Sequence, residues 1–160
     1  MSLGHRDIAH IDGGRAPGTA ERRRGYRTPM NRHGLADHIR ILPGGLTAQP
    51  GSTAANTLLT SAARPGPALA FNDACATGAL NTLFRSGLSV PHDISVVGFD
   101  DSRLAPLPHV DLTTVAQGIP RLAELAVAHI TNRLENSGTP TGEDVVAPHL
   151  VVRGTTTAAG

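Results

Sequence analysis

Two polar pairs, Asn72-Asp73 and Asp100-Asp101, each end a short apolar run, Ala68-Leu69-Ala70-Phe71 in one case and Ile94-Ser95-Val96-Val97-Gly98-Phe99 in the other. If those runs are strands of a doubly wound sheet, both pairs lie outside the carboxyl ends of the strands, where such sheets hold their ligands. Arg22 falls near the start of a helix whose N-terminus faces the same edge. An amide, a carboxylate and a guanidinium gathered in one crevice supply fixed acceptors and forked donors, a set suited to a polyhydroxyl ligand. The residues alone admit a plainer reading with equal weight. Asn72 and Asp73 then only cap a helix, Asp100 ends a strand in a turn, and Arg22 is solvated.

Other chemistry is poorly signalled. The loop Gly13-Gly14-Arg15-Ala16-Pro17-Gly18 lies between a strand and a helix, but its spacing is GGxxxG and no lysine follows, so it does not fit a dinucleotide fingerprint or a phosphate loop. His5 and His10, and His33 and His38, lack zinc-motif spacing, so no metal site is expected. Cys75 falls early in an apolar helix and no GxSxG elbow exists, which leaves no nucleophile and no sign of an enzyme. No cofactor is expected either. Arg22, Arg23, Arg24, Arg27 and Arg32 scatter around one helix, and aromatic residues are only 2 %, so direct nucleic-acid binding by this chain is not indicated.

The elements that must position these residues follow from periodicity. Strands are predicted at residues 8–11, 39–42, 68–71 and 94–99. Helices are predicted at 19–33, at 52–63, and from Asn72 to just before Gly87. Gly34 stops the first helix, Pro29 should kink it or shift its end, and Arg64-Pro65-Gly66-Pro67 breaks the chain after the second. This alternation gives an α/β fold, a doubly wound and mainly parallel sheet flanked by helices. A further strand at 112–115 leads to a helix reaching Leu134, whose Leu122, Leu125, Ala126, Ile130 and Leu134 form a stripe that must bury against something. A linker at 136–142, a strand at 145–152 and a fraying tail from Gly154 complete the reading.

At 160 residues the chain has the size of one domain, and 17 % charged with 39 % apolar residues excludes disorder. No apolar run approaches the ~20 residues of a membrane span. One cysteine and an N-terminus without a secretory apolar core make a cytoplasmic setting the expectation. Net charge is only +1, and all 14 basic residues are arginine, so the chain as a whole has no strong draw toward nucleic acid.

Several stretches resemble one family. Leu3-Gly4-His5-Arg6-Asp7-Ile8-Ala9, Glu21-Arg22-Arg23-Arg24-Gly25-Tyr26 and Phe71-Asn72-Asp73-Ala74-Cys75-Ala76-Thr77-Gly78-Ala79-Leu80 are similar to the effector-binding domain of lactose-repressor-type (LacI/GalR) bacterial transcription regulators. The run from Leu88 to Ser102, LSVPHDISVVGFDDS, is the strongest match, followed by Leu112-Thr113-Thr114-Val115-Ala116-Gln117 and Leu150-Val151-Val152-Arg153-Gly154-Thr155. The resemblance covers nearly the whole chain and implies a periplasmic-binding-protein-like fold of two subdomains with a cleft between them. It implies that Arg22, Asn72, Asp100 and Gln117 contact a small-molecule effector, typically a carbohydrate or nucleoside, with Asp73 and Phe71 beside them.

It further implies that residues 3–103 and 145–155 form the C-terminal effector-binding subdomain. Residues 106–135 then belong to an N-terminal subdomain otherwise absent from this sequence, and 156–160 are a tail. Operator DNA would be bound only through a helix-turn-helix headpiece that the sequence does not contain, the regulator would be a homodimer, and no membrane is involved. Without its subdomain, segment 106–135 is expected to self-associate between chains or pack irregularly. Gly118 stands where the family usually has proline. A transport-type sugar-binding receptor of the periplasm is the alternative that the same cleft allows.

Overall fold

The computed structural model describes residues 3–61, 66–135 and 142–159. Its strands are short: β1 (Ala9–Ile11), β2 (Arg40–Leu42), β3 (Ala68–Ala70), β4 (Val96–Asp100), β5 (Thr113–Ala116) and β6 (His149–Val151). They form one sheet in the order β2-β1-β3-β4-β5-β6, with the first five parallel and β6 antiparallel to β5. Helices α1 (Thr19–Arg32), α2 (Ala48–Thr60) and α3 (Asp73–Arg85) are the crossovers, and a 3-10 turn, Ala36–His38, precedes β2.

Strand alternation divides the core. Ala9, Ile11, Ala68, Ala70, Val96 and Leu112 point to one face and pack with Ala54, Ala55 and Leu58 of α2 and Ala76, Ala79, Leu80 and Leu83 of α3. On the opposite face, Ile8, Ile39, Ile41 and Leu69 pack against Tyr26, Met30 and Leu35. The Tyr26 hydroxyl donates to the Ile8 carbonyl at 2.6 Å and accepts from the Arg40 amide at 2.9 Å, which ties α1 to the starts of both β1 and β2. Beyond α1 this face is an apolar groove of ≈ 220 Å³, lined by Leu3, Ile8, Leu69 and Val97 among others.

The helix ends have local causes. Gly34, at φ 69°, lets the Gly34 amide reach the Asn31 carbonyl and the Leu35 amide reach the Met30 carbonyl, and Leu35 then packs on Met30. This is a Schellman closure. Pro29 sits inside α1 without ending it, at the cost of the hydrogen bond that an N–H there would give to the Gly25 carbonyl. Helix α2 starts four residues earlier than its periodicity indicates. Pro50 lies in its first turn, where a missing N–H costs nothing. The predicted end of that helix at 62–63 and the Arg64-Pro65 break lie outside the described residues, as do residues 136–141 of the linker.

Beyond β4 the structure adds to the sequence reading. In segment 106–135, β5 pairs with β4 along its length, and Val110 and Leu112 join the core. Helix α4 (Ile119–Glu135) has no buried residue among those described, and Leu122, Val127, Ile130 and Leu134 are exposed, so its apolar stripe finds no cover within this chain. The tail does not fray up to residue 159. Thr155 is buried, its hydroxyl donates to the Val96 carbonyl at 2.7 Å, and the Ala159 amide donates to the Leu3 carbonyl at 2.7 Å. The tail's small polar residues fit against the start of β4, where the Thr155 carbonyl and hydroxyl satisfy the Val96 amide and carbonyl. The last strand is also shorter than expected, His149–Val151 only.

Helices α2 and α3 approach so closely that a Cβ on Gly78 would lie 1.9 Å from the Ala48 carbonyl oxygen, whereas one on Gly25 of α1 would meet nothing within 4 Å. Gly78→Ala is therefore expected to lower stability by about 1–3 kcal/mol through overpacking. Gly25→Ala should raise it by roughly 0.5–1 kcal/mol by removing helix-interior glycine. Urea denaturation of the two variants checks both signs; equal behaviour would contradict the helix contact.

Candidate functional site

The carboxyl ends of β3, β4 and β5 bring Phe71, Asn72, Asp100 and Gln117 to one edge, and the first turns of α1 bring Arg22 to meet them. Gln117 Nε2 donates to Asp100 Oδ1 at 2.8 Å, and Arg22 Nη2 lies 3.8 Å from the same oxygen. Arg22 Nη1 donates to the Phe71 carbonyl. The guanidinium carbon lies 4.2 Å from the Phe71 ring centroid and 3.7 Å from that of Phe99. Two ring faces and an ion pair thus hold one planar cation in a fixed orientation. Burial pushes the Asp100 carboxyl above the ordinary aspartate range; Arg22 opposes the shift, neighbouring Asp73 adds to it, and Gln117 opposes it. Burial also pulls the Arg22 guanidinium down, with Asp100 opposing.

The backbone at Asp100 is strained. Asp100 has φ 120° and Asp101 has φ 50°, two consecutive non-glycine residues at positive φ. Such positions cost of order 1–3 kcal/mol each and persist only where the surroundings over-determine them. The Ser102 amide donates to Asp73 Oδ2 at 2.7 Å, the Asp101 amide to Thr114 Oγ1 at 3.4 Å, and Arg153 Nη2 to Asp101 Oδ1 at 2.7 Å.

The remaining predicted residues divide. Asn72 does cap α3, its Oδ1 accepting from the Cys75 amide at 2.8 Å while its Nδ2 donates to the Leu46 carbonyl at 3.0 Å. One lone pair and one N–H of that amide stay available at the edge. Asp73 is 1 % exposed, and its two oxygens accept from Thr114 Oγ1 at 2.5 Å and from Ser102. It faces inward and shapes the loop after β4. Phe71 is buried beneath Arg22. Arg23, one of the arginines spread around α1, pairs with buried Asp12.

Phe99 and Arg153 were missed. Period-two alternation along β4 places Phe99 on the α1 side, directly beneath Arg22, so its signal was present once α1 was assigned to that face. Arg153 gives no local signal, being 52 residues from the carboxylate it meets. A groove of ≈ 310 Å³ lined by His10, Arg22, Tyr26, Phe99 and Val115 adjoins the cluster. Among the described residues no group of three or more His, Cys, Asp and Glu side chains could hold a metal, and no helix is long and apolar enough to cross a membrane. Burial pushes the Cys75 thiol up, away from the thiolate form that nucleophilic chemistry needs.

A family model described as a periplasmic binding protein-like domain matches residues 1–156. The HTH-type transcriptional regulator DegA of Bacillus subtilis (strain 168) is 36 % identical over 98 % of this chain and 47 % of its own length. The ribose operon repressor of Escherichia coli (strain K12) is 34 % identical over 96 % of this chain and 47 % of its own length. This chain therefore spans about half the length of the curated relatives it matches. Among solved structures, a LacI transcriptional regulator from a Rhodococcus species superposes with a TM-score of 0.91 at 50 % identity, over 98 % of this chain and 57 % of that one. A LacI family regulator from Enterococcus faecium with bound ribose superposes with a TM-score of 0.88 at 26 % identity, over 99 % and 59 %. The parallel sheet, the polar cluster at its carboxyl edge and these matches agree: the chain belongs to the periplasmic binding protein-like domain family, in the form carried by LacI-type transcriptional regulators.

Proposed function

We propose that this chain is the effector-binding portion of a LacI-type regulator, and that Arg22, Asn72, Asp100 and Gln117 contact a small polyhydroxyl effector, a carbohydrate. The observation that carries this is the meeting of Arg22, Gln117 and Asp100 at the carboxyl edge of the sheet. A carboxylate acceptor beside a forked donor matches adjacent hydroxyl groups, each of which both gives and receives a hydrogen bond. The guanidinium is already neutralised by Asp100, so the pair favours an uncharged ligand over an anion. Asp73 and Phe71 act from behind, one shaping the loop and the other seating Arg22. Ribose bound by an Enterococcus relative and cellobiose bound by the regulator CelR make pentoses and β-linked glucosides the first ligands to try.

In the longer protein, operator DNA would be read by a helix-turn-helix headpiece, two copies would pair, and effector closing a cleft would shift the balance between DNA-competent and incompetent states. The exposed stripe of α4 and the open apolar groove on the α1 face would then pack against the other half of that protein, in a cytoplasmic dimer. No catalytic step is assigned to the chain.

The site is held at a cost. Asp100 titrates above its unfolded value, so the folded chain holds that proton more tightly. The resulting stabilisation is complete below the unfolded value and is lost as pH rises through the folded one. At neutral pH that stabilisation is absent, and a neutral isostere would restore it. Asp100→Asn should raise the urea midpoint of the free chain at neutral pH, with the advantage disappearing in acid below the ordinary aspartate range; a midpoint lowered at neutral pH would contradict this. In the same chain, NMR titration with D-ribose, D-glucose, cellobiose and adenosine should shift the amides of Asn72, Asp100 and Gln117 for at least one compound. That response should vanish in Asp100→Ala and Arg22→Ala. A hit that survives both substitutions would place the ligand elsewhere.

A further inference from the structure

Asp100 can accept from a ligand only if its strained backbone holds the carboxyl at the sheet edge, and the contact that Gln117 makes with it belongs to the ligand-contacting set itself. Something outside that set must hold the turn while a ligand enters and leaves. Arg153 is so placed. Its backbone amide donates to Thr113 Oγ1 at 2.9 Å, and the same hydroxyl donates to the Arg153 carbonyl at 3.1 Å, which fixes the residue to the first position of β5. From that anchor its guanidinium divides, Nη1 donating to the Leu112 carbonyl at 2.8 Å and Nη2 to Asp101 Oδ1 at 2.7 Å. The planar fork thus ties the chain entering β5 to the turn leaving β4, and the Arg153 side chain is only 17 % exposed.

We infer that Arg153, brought back to the sheet by the segment after β6, is the positioning residue for the Asp100 carboxylate, acting through Asp101. This rests on the reading of Asp100 as an effector contact. Asp73 is the second anchor of the turn, but it also braces Thr114 in the core, so its removal would disturb the fold at large. Arg153 lies at the perimeter, and its charge is spent on Asp101 alone among the ion pairs of the described residues. A lysine there could keep the charge on Asp101 but could not also reach Leu112 with the same geometry, so it should hold the turn in part.

The test follows the side-chain carboxyl of Asp100 by carbon-detected NMR as pH is varied, in the unmutated chain, Arg153→Gln and Arg153→Lys. The groups that face this carboxyl are Arg22 from α1, Asp73 from α3 and Gln117 after β5, with Asp101 and Arg153 at the turn. Loss of the clamp should let the carboxyl swing into water, so its midpoint falls toward the ordinary aspartate value in Arg153→Gln and takes an intermediate position in Arg153→Lys. A folded Arg153→Gln chain with an unchanged Asp100 midpoint overturns the proposal. Should Arg153→Gln fail to fold, Asp101→Asn removes the ionic clamp while leaving the Leu112 bond, and the same fall or constancy decides the matter. D-ribose serves as the binding probe, and its affinity is expected to fall about tenfold in Arg153→Gln, the equivalent of one charge-assisted hydrogen bond. The titration decides the proposal whether or not D-ribose binds; silence from the unmutated chain would count against the ribose reading alone.

Discussion

One buried carboxyl group organises the polar edge of the sheet. Asp73 starts α3, where the helix N-terminus favours negative charge, and sends its two oxygens to Thr114 in β5 and to the Ser102 amide beyond β4. Three successive elements are thereby held in register around a group that could not stay buried without those donors. The neighbouring strand makes room for it: a Cβ on Gly98 would lie 2.3 Å from Asp73 Oδ1. The polar pair that reads as two candidate ligands is thus divided by the fold. Asn72 stays at the edge and Asp73 becomes the post behind it.

Around that post the edge stores strain. Asp100 and Asp101 occupy backbone conformations that glycine would take more readily, and the Asp100 carboxyl is held where burial disfavours its charge. Arg22 offsets part of this while being itself constrained by Phe71 and Phe99. A group held in an unfavourable state by its surroundings does not reorganise when a ligand arrives, which is the physical content of a preformed site.

The outer parts of the molecule follow a different logic. A parallel sheet is covered on both faces in a complete α/β unit. Here α2 and α3 cover one face, while the other carries α1 and an open apolar groove. Helix α4 presents an apolar stripe of its own to solvent. Both surfaces fit a chain that spans about half the length of its relatives.

Much of this was legible along the chain because it depends on near neighbours. Alternating apolar runs marked the strands, Gly34 marked the end of α1, Asn72 marked the start of α3, and the residues following β3 and β4 marked the polar edge. Boundaries that depend on remote partners were not legible. Helix α2 begins before its apolar pattern does, the residues after Gly154 are held by the remote partners Leu3, His5, Ser95, Val96 and Thr113, and β5 joins the sheet through pairing that the local pattern does not encode. Sequence by itself determined the fold class, the edge and the types of polar group there, since periodicity, capping and strand-end position are local properties. Only the tertiary structure decided that Asp73 turns inward and that Arg153 reaches Asp101 across 52 residues, because both depend on long-range partners that no local pattern contains.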